Sequence, residues 1–509
     1  MNGHISGSRQ TLDGVKNRSL LKDGGFINGE WVTKSHSSRT FDVVDPATLK
    51  KLITLPEMGK HETVAAIKAA HEAFKPFRKT SGRERARLLR KWSDLCLQNA
   101  DDLALILCLE NGKTLAEAKG ELRRAIENVE VACGIPTMMQ GYNLEDVARG
   151  IDEIMIRQPL GVVAAITAFN FPAMIPFWFL PYAISTGNTM VLKPSERVPL
   201  TMKRTFELFQ QIGLPKGVVN LVNGGKTAVD TLLDHPKVRA VSFVGSTPVA
   251  KYIYARAAAS GKRAQCQGGA KNPVIVLPDA DMSMATSIIS DSAFGCAGQR
   301  CLAVSVAVAI GDAQETFREA IADCASKLRV GNGLEAGVQM GPVITPQSKS
   351  RIETLIGEGE RAGAKILVDG RNTKIPGHES GNFVKPTVLD GVPVESELAH
   401  TEIFGPVLSL VHANDLDQAM SFLAKNPFGN QASLFTSSGS AARRFRYEAP
   451  AGNIGINIGV AAPMAYFPFS GWKDSFFGDM HGQGRDAIEF YTDKKIVVER
   501  WAKDHSRKF

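Results

Sequence analysis

Hydrophobic residues in the first quarter of the chain recur at helical spacing. In residues 61–75 the apolar side chains lie three or four positions apart, which predicts an amphipathic helix that Pro76 should end. The same spacing predicts further helices over residues 84–98, 101–111 and 114–133. Before them, residues 26–31 are typical of a hairpin. The first part of the chain is therefore predicted to be mostly helical.

After residue 160 the pattern changes to short apolar runs, most of them separated by segments long enough for a helix. The first series of runs comprises residues 162–166, 189–192, 218–222 and 238–244. The second series comprises residues 273–277, 304–310, 383–389, 407–412 and 432–436. Apolar strands joined by helices are typical of parallel sheets that are covered on both faces. The sequence thus predicts an α/β fold with two parallel-sheet domains.

One apolar stretch could be taken for a membrane span, because residues 161–192 contain no charged side chain. Pro172, Pro176 and Pro181 would interrupt a single spanning helix repeatedly. We therefore expect a buried strand, a turn and an internal helix here, and no membrane association.

Composition narrows the class of protein. The chain has 509 residues, 44% hydrophobic and 22% charged, as in ordinary globular proteins, with a net charge of +8. A mild positive excess suits anionic ligands such as dinucleotides, and no pattern typical of nucleic-acid binding occurs. An odd number of cysteines, seven, without a C-x-x-C motif favours a reducing compartment.

The amino-terminal residues 1–22 are polar and are predicted to form a frayed tail. They lack the apolar core of a secretory signal. A mitochondrial transit peptide is disfavoured because Asp13 interrupts the segment and no amphipathic stripe is evident. We expect a cytoplasmic protein, with the mitochondrial matrix as the alternative.

The tetrapeptide 298–301, Gly-Gln-Arg-Cys, is the main candidate for chemistry. Cys301 follows a polar, basic run and precedes a mostly apolar one, so its thiol can reach a site while its backbone is anchored in the core. A neighbouring cation, Arg300, favours the nucleophilic thiolate. The alternative is a buried structural thiol.

Polar residues also follow predicted strands of the first series, where ligands bind in open α/β sheets. These segments are residues 167–172, 193–196 and 245–247. Lys193 with Glu196 could hold a ribose, and Ser246 at a helix start could meet a phosphate. The alternatives are a solvated loop pair and a simple helix N-cap. Neither G-x-G-x-x-G nor a P-loop is present.

Five motifs together resemble the aldehyde dehydrogenase superfamily, in that family's order and across essentially the whole chain. They are Phe-Asn-Phe-Pro at 169–172, Lys-Pro-Ser-Glu at 193–196, Phe-Val-Gly-Ser at 243–246, Gly-Gln-Arg-Cys at 298–301 and Glu-Ile-Phe-Gly-Pro at 402–406. The resemblance implies that Cys301 is the nucleophile and that Asn170 donates to the oxyanion. It implies that NAD is held by Thr167, Phe169, Lys193, Glu196, Arg197, Gly225, Ser246, Gly268, Glu402 and Phe404. Glu196 would repel a 2′-phosphate, which favours NAD over NADP.

The resemblance also implies a domain arrangement: two Rossmann-type parallel-sheet domains with a small β element that bridges subunits. Residues 23–145 and 162–272 would bind NAD, residues 273–455 would form the catalytic domain, and residues 146–161 and 485–503 would form the bridge. A homotetramer or homodimer follows, and no metal is expected.

One departure from the family pattern bears on the reaction. Most hydrolytic members carry a glutamate that activates water at the position of Gln267, in the segment Gln-Gly-Gly-Ala-Lys-Asn at 267–272. An amide cannot act as a general base. A thiol acceptor has less need of one, because a thiol of pKa about 8.5 is already a few per cent thiolate near neutral pH. The change therefore favours thiolysis by coenzyme A (CoA).

Loss of that glutamate resembles one branch of the family, the CoA-acylating methylmalonate-semialdehyde dehydrogenases. By motif position, Arg124 and Arg300 resemble the arginines that hold the substrate carboxylate in that branch. For both the alternative is a solvated surface position. The resemblance implies oxidation of methylmalonate or malonate semialdehyde, with loss of CO2, to propionyl-CoA or acetyl-CoA.

Departures from that branch at Ala250, Pro273, Leu302 and Ala461–Ala462 bear on the size of the substrate's 2-substituent. Two other hypotheses stay open: a hydrolytic aldehyde dehydrogenase that releases a free acid, and a scaffold protein without activity.

Overall fold

The computed structural model describes residues 11–501, and its largest sheet has eight strands. Across this sheet the strands are Glu30–Val32 (β2), Gly25–Ile27 (β1), Val219–Leu221 (β9), Thr189–Lys193 (β8), Val162–Ile166 (β7), Val238–Val244 (β10), Arg263–Gln267 (β11) and Phe476–Phe477 (β21). The five central strands, β9 to β11, are parallel, and the strands outside them pair antiparallel. The carboxyl ends of the five parallel strands therefore lie along one edge of the sheet.

The second sheet has seven strands. In order they are Lys365–Val368 (β14), Thr387–Asp390 (β15), Val407–Ala413 (β16), Val304–Ile310 (β13), Asn272–Val276 (β12), Gln431–Phe435 (β18) and Asn453–Ile456 (β19). All pairs are parallel except β14 with β15. The two α/β sheets and their helices confirm the predicted fold class.

Three smaller sheets complete the strands. An antiparallel sheet joins Thr492–Glu499 (β22), Ile151–Pro159 (β6) and Tyr142–Ala148 (β5). Two-stranded sheets join Thr40–Val44 (β3) to Lys51–Pro56 (β4), and Phe428–Gly429 (β17) to Trp472–Lys473 (β20). Strands β6 and β22 lie in the segments 146–161 and 485–503, for which the family resemblance implied a β element, whereas β3 and β4 were not predicted.

The predicted amino-terminal helices are all present. They are Lys60–Phe77 (α1), Gly82–Gln98 (α2), Ala100–Asn111 (α3) and Leu115–Ala132 (α4). Capping boxes at Ser81 with Glu84 and at Thr114 with Glu117 fix the starts of α2 and α4. Pro76 does not end α1 but lies in its last turn, where the Arg78 N–H still reaches the Phe74 carbonyl.

Further helices of 4 to 16 residues lie between the remaining strands. They are Ile135–Met138 (α5), Met174–Phe177 (α6), Leu180–Thr186 (α7), Leu200–Gln211 (α8), Lys226–Asp234 (α9), Thr247–Ala259 (α10), Met282–Phe294 (α11), Ala313–Lys327 (α12), Pro346–Arg361 (α13), Glu397–His400 (α14), Leu416–Lys425 (α15), Gly439–Glu448 (α16) and Gly484–Phe490 (α17).

Hydrophobic packing explains the uncharged stretch 161–192. Strands β7 and β8 are buried along their whole lengths, and α7 between them is buried too. Apolar side chains of α2, α4 and α7 pack on one face of the first sheet, and those of α1, α9 and α10 on the other. Within residues 11–501 we find no helix with both the length and the apolar character that crossing a membrane requires.

Two other expectations need correction. Of the predicted strand 383–389 only residues 387–389 belong to a strand, Thr387–Asp390 (β15), because Pro386 offers no N–H to a ladder. Residues 1–10 of the predicted frayed tail lie outside the described residues, but from residue 11 onward the segment is packed. Leu20 is buried, and Asp102 accepts hydrogen bonds from the backbone of Lys16 and Asn17.

Candidate active site

A tight loop between α11 and β13 carries Cys301. The loop begins with a 3₁₀ turn in which Cys296 and Ala297 have left-handed backbone angles, φ 50° and 53°. At Gly298, φ is 68° and an added Cβ would lie 2.0 Å from the carbonyl oxygen of Gly405, so this position requires glycine. Cys301 itself is 8% exposed. The loop geometry holds the thiol close to the surface of a pocket.

Cys301 shares this pocket with both predicted carboxylate-binding arginines. The pocket opens to solvent, and its apolar side is lined by Phe171, Met174, Trp178, Leu302, Val460 and Phe469. Arg124 and Arg300 also line it, together with Asn128 and Gln483. A small aldehyde with a carboxylate could therefore contact the thiol and the arginines at once.

Each arginine is held by a carboxylate. Arg124 donates to Glu127 Oε2 at 2.8 Å and to the Pro463 carbonyl at 2.7 Å. Arg300 lies 3.3 Å from Glu117 Oε1 and donates to the Asp291 carbonyl. Their side chains remain 28% and 21% exposed. The hydrogen bonds thus orient the guanidinium groups, which stay partly accessible to solvent.

The ionisation of Cys301 differs from the sequence-based expectation. Burial, and after it the charge of the Glu402 carboxylate, raises the pKa of the thiol to about 12. The backbone N–H groups of Cys301 and Leu302 act in the opposite direction. Arg300 does not supply the predicted activation, because its guanidinium is directed to Glu117 and to the thiol of Cys296. Without ligands, Cys301 is therefore a protonated thiol near neutral pH.

Asn170 lies beside the thiol loop at the carboxyl end of β7. Its Nδ2 donates to the Gln299 carbonyl at 3.1 Å, and the residue is 4% exposed. Its backbone carbonyl accepts a hydrogen bond from Lys113 Nζ at 2.8 Å. The amide is in place near the thiol, with one N–H used by the loop and one available for another acceptor.

The carboxyl edge of the first sheet gathers most of the predicted cofactor residues. Thr167 follows β7, Gly225 follows β9, Ser246 follows β10 and Gly268 follows β11. Lys193 Nζ lies 2.9 Å from Glu196 Oε2 at the end of β8. Arg197 is exposed beside this pair. Parallel strands thus bring distant segments together at one edge.

Two helices start at this edge with groups suited to a phosphate. Ser246 caps α10, yet its side chain makes no capping hydrogen bond within the described residues. Gly225 caps α9, and an added Cβ there would meet no atom within 4 Å. Free helix N-termini and small residues suit a pyrophosphate. The residues present at this edge fit a dinucleotide.

Two residues from the second half of the chain, Glu402 and Phe404, contact residues that follow strands of the first sheet. Glu402 Oε1 accepts a hydrogen bond from the Ala270 N–H at 2.8 Å, and burial raises its pKa to about 7. A Cβ at Gly269 would lie 2.4 Å from Glu402 Oε2, so glycine admits the carboxylate. Phe404 packs edge-on against Phe169, with ring centroids 5.7 Å apart. These residues close the site near Cys301.

Gln267 ends β11 and is buried beside the thiol loop. Its Nε2 donates to Asn430 Oδ1 at 2.9 Å. Asn430 Nδ2 in turn donates to the Cys301 carbonyl at 2.7 Å, and Asn272 Nδ2 donates to the same oxygen at 2.8 Å. The position of the usual general base is therefore linked to the nucleophile through an amide.

Sequence reasoning missed Asn272 and Asn430 as site residues, as well as Glu117 and the stacked pair of Trp178 and Phe469. The rings of that pair lie 4.5 Å apart in the pocket wall. Asn430 is 129 residues from Cys301 along the chain. Its local sequence carries no signal of this contact.

Among residues 11–501 no group of three or more His, Cys, Asp or Glu side chains is placed to hold a metal ion.

Comparison with known proteins agrees with this geometry. The profile of the Aldehyde dehydrogenase family matches residues 31–497. Malonate-semialdehyde dehydrogenase 2 of Geobacillus kaustophilus is 48% identical over 476 residues, covering 94% of this chain and 98% of the relative.

Solved structures are similar over nearly the whole chain. A methylmalonate-semialdehyde dehydrogenase from Oceanimonas doudoroffii superposes with a TM-score of 0.94 at 45% identity, covering 96% of this chain and 100% of that one. A Sinorhizobium meliloti protein that carries the same enzyme name provisionally, solved with NAD, gives 0.93 at 41% identity, covering 95% and 98%. On the evidence of its sheets, its thiol loop and these matches, the chain belongs to the aldehyde dehydrogenase family.

Proposed function

We propose that the protein oxidises methylmalonate semialdehyde or malonate semialdehyde with NAD and transfers the acyl group to CoA, with loss of CO2. One observation carries this proposal: Cys301, Arg124 and Arg300 line the same pocket, while an amide, Gln267, stands where a water-activating carboxylate would be needed. The names of the relatives support the substrate class.

The arginines would select and orient the substrate. A guanidinium forms paired hydrogen bonds with a carboxylate, and it retains its charge at every physiological pH. With its carboxylate between Arg124 and Arg300, a three-carbon semialdehyde would place its aldehyde carbon toward Cys301. The apolar wall around Trp178 and Phe469 would accept a methyl group on the intervening carbon.

Cys301 would attack the aldehyde carbon as a thiolate and form a thiohemiacetal. Asn170 Nδ2 and the backbone N–H of Cys301 would then donate to the oxyanion, an interaction worth about 3 kcal/mol for one donor in comparable sites. NAD, when bound, accepts the hydride that leaves the substrate carbon. Lys193, Glu196, Ser246, Glu402 and Phe404 would hold it at the sheet edge.

The thioester on Cys301 would then react with the thiol of CoA. Gln267 cannot remove a proton from water, because its amide is neutral and already donates to Asn430. The CoA thiol, with a pKa of about 8.5, is already a few per cent thiolate near neutral pH without such help. The acyl group carries a carboxylate on the carbon next to its carbonyl, and an acid of that type loses CO2 readily. Propionyl-CoA, or acetyl-CoA from malonate semialdehyde, is the product.

The three-stranded sheet supports the further proposal of a homodimer or homotetramer. Tyr142, Ile496 and Val498 expose apolar side chains on it, at 69%, 54% and 61% exposure. A second subunit would cover them. Light scattering on the purified protein tests this assembly, and a monomer would contradict it. A cytoplasmic location is part of the same proposal.

Product identification tests the reaction. The protein is incubated with methylmalonate semialdehyde, NAD and CoA, and the products are analysed by mass spectrometry. Propionyl-CoA with CO2 is the expected result. Free methylmalonate or propionate formed at the same rate without CoA would instead support the hydrolytic alternative.

A further inference from the structure

The peptide that joins Cys301 to Leu302 is held from its carbonyl side. Two buried amides, Asn272 Nδ2 and Asn430 Nδ2, donate to the Cys301 carbonyl oxygen at 2.8 Å and 2.7 Å. A trans peptide is planar, and its C=O and N–H point in opposite directions. Fixing this carbonyl therefore fixes the direction of the Leu302 N–H.

That N–H and the N–H of Cys301 both act on the thiol of Cys301. Hydrogen bonds from the backbone N–H groups of Cys301 and Leu302 lower the pKa of the thiol, against burial and the charge of Glu402. Within residues 11–501, the described groups that favour the thiolate are these two N–H groups. The orientation of the 301–302 peptide thus affects how readily the nucleophile ionises.

The two amides that hold the carbonyl are themselves held differently. Asn272 also donates to the Ala303 carbonyl and accepts from the Gln431 N–H, so the backbone fixes its orientation. Asn430 must present Nδ2 to the Cys301 carbonyl, because that oxygen only accepts. It therefore presents Oδ1 to residue 267, which has to be a donor. Gln267 Nε2 meets this need at 2.9 Å.

We propose that Gln267 is a positioning residue for the nucleophile: through Asn430 it orients the 301–302 peptide so that the Leu302 N–H stabilises the thiolate of Cys301. This inference rests on the proposed role of Cys301. An ionised glutamate at position 267 has no hydrogen to donate and would face Asn430 Oδ1. The side chain that cannot activate water thus contributes to attack on the aldehyde.

Alkylation of Cys301 by iodoacetamide tests the proposal on the full chain without substrate, NAD or CoA. The labelled Cys301 peptide is quantified by mass spectrometry at mildly alkaline pH. We expect Gln267→Met and Asn430→Ala each to slow labelling about tenfold, which corresponds to a rise of about one unit in the thiol pKa. The double variant should be no slower than Asn430→Ala alone.

Gln265→Met is the matched control. Gln265 is a buried amide on the same strand, and it lies 2.7 Å from Ser242 Oγ rather than beside Asn430. Its variant should label at the wild-type rate. Labelling of folded Gln267→Met at the wild-type rate, or additive effects in the double variant, would overturn the proposal.

If Gln267→Met does not fold, Gln267→Glu tests whether the nucleophile needs a hydrogen-bond donor at residue 267. A protonated glutamate can donate to Asn430, whereas the ionised form cannot. Its labelling rate relative to the wild type should therefore fall as the pH rises, and a ratio independent of pH would contradict the proposal. Since neither substrate nor CoA is present, failure of the proposed reaction leaves this test unaffected.

Discussion

Lys113 and Glu121 form a buried ion pair that contacts the backbone of Asn170. Lys113 Nζ lies 2.5 Å from Glu121 Oε2 and 2.8 Å from the Asn170 carbonyl oxygen, and the two side chains are 1% and 0% exposed. The other oxygen of Glu121 accepts hydrogen bonds from the N–H groups of Ala173 and Met174. The loop that carries the proposed oxyanion donor is therefore tied to α4 through one carboxylate.

Removing the charge of this carboxylate should destabilise the protein. Glu121→Gln leaves Lys113 as a buried cation without its counter-charge, which typically costs about 3–5 kcal/mol in the free energy of unfolding. Urea unfolding followed by circular dichroism measures the change. Glu130→Gln, at an exposed position on the same helix, is the control and should match the wild type. Equal urea midpoints for Glu121→Gln and the wild type would show that the pair does not support the fold.

The pocket arginines should act on binding of charged substrates. We expect Arg124→Leu and Arg300→Leu each to raise KM for the semialdehyde about 30-fold, because each removes charge-assisted hydrogen bonds worth about 2 kcal/mol. Turnover of propanal, which has no carboxylate, should change far less. Steady-state kinetics with both aldehydes measures the contrast.

The neighbouring Arg123→Leu serves as the control for Arg124, because its side chain is exposed on the same helix outside the pocket. If Arg124→Leu impaired both aldehydes equally, the arginine would be structural rather than a carboxylate ligand.

The charge of Glu402 should suppress the reactivity of Cys301. Burial and then Glu402 raise the pKa of the thiol, so removing the carboxylate charge should lower that pKa. The pKa of Glu402 itself is raised to about 7, which means that it is mostly ionised above neutral pH. In Glu402→Gln we therefore expect alkylation of Cys301 at mildly alkaline pH to be about three- to tenfold faster than in the wild type.

At pH values well below 7 the Glu402→Gln variant and the wild type should converge, because wild-type Glu402 is then protonated as well. Rates of iodoacetamide labelling across the pH range measure this difference. Slower labelling of Glu402→Gln at alkaline pH would contradict the assigned sign.

Cofactor choice should depend on the charge of Glu196. A carboxylate 2.9 Å from Lys193 at the sheet edge would repel a 2′-phosphate. Glu196→Gln should lower the preference for NAD over NADP by about tenfold or more, measured as the ratio of kcat/KM values. Glu145→Gln, on the exposed strand β5, should leave that ratio unchanged. An unaltered ratio in Glu196→Gln would assign the preference to other residues.

Sequence patterns predicted the buried strands and the polar residues at their carboxyl ends well, because both depend on the local order of apolar and polar residues. Buried strands such as β7 and β8 are continuous apolar runs, and the polar residues Thr167 and Lys193 stand where those runs end. Cys301 and Gln267 were identified through their motifs. The contacts that tune them could not be predicted, because they join residues far apart in the chain, as Gln267 joins Asn430.

The orientation of Arg300 shows the same limit. Its position next to Cys301 in sequence suggested direct activation of that thiol, but the backbone turn at residues 296–298 directs the guanidinium toward Glu117 and Cys296. Adjacency along a strained loop does not determine which way a side chain points.

The dependence of NADH formation on CoA tests the central claim most directly. Stopped-flow mixing of the protein with NAD and methylmalonate semialdehyde should give a burst of about one NADH per active site, because each Cys301 forms one thioester that Gln267 cannot help water to cleave. Later addition of CoA should start continuous turnover. Continuous NADH formation without CoA, at the rate seen with CoA, would contradict the account.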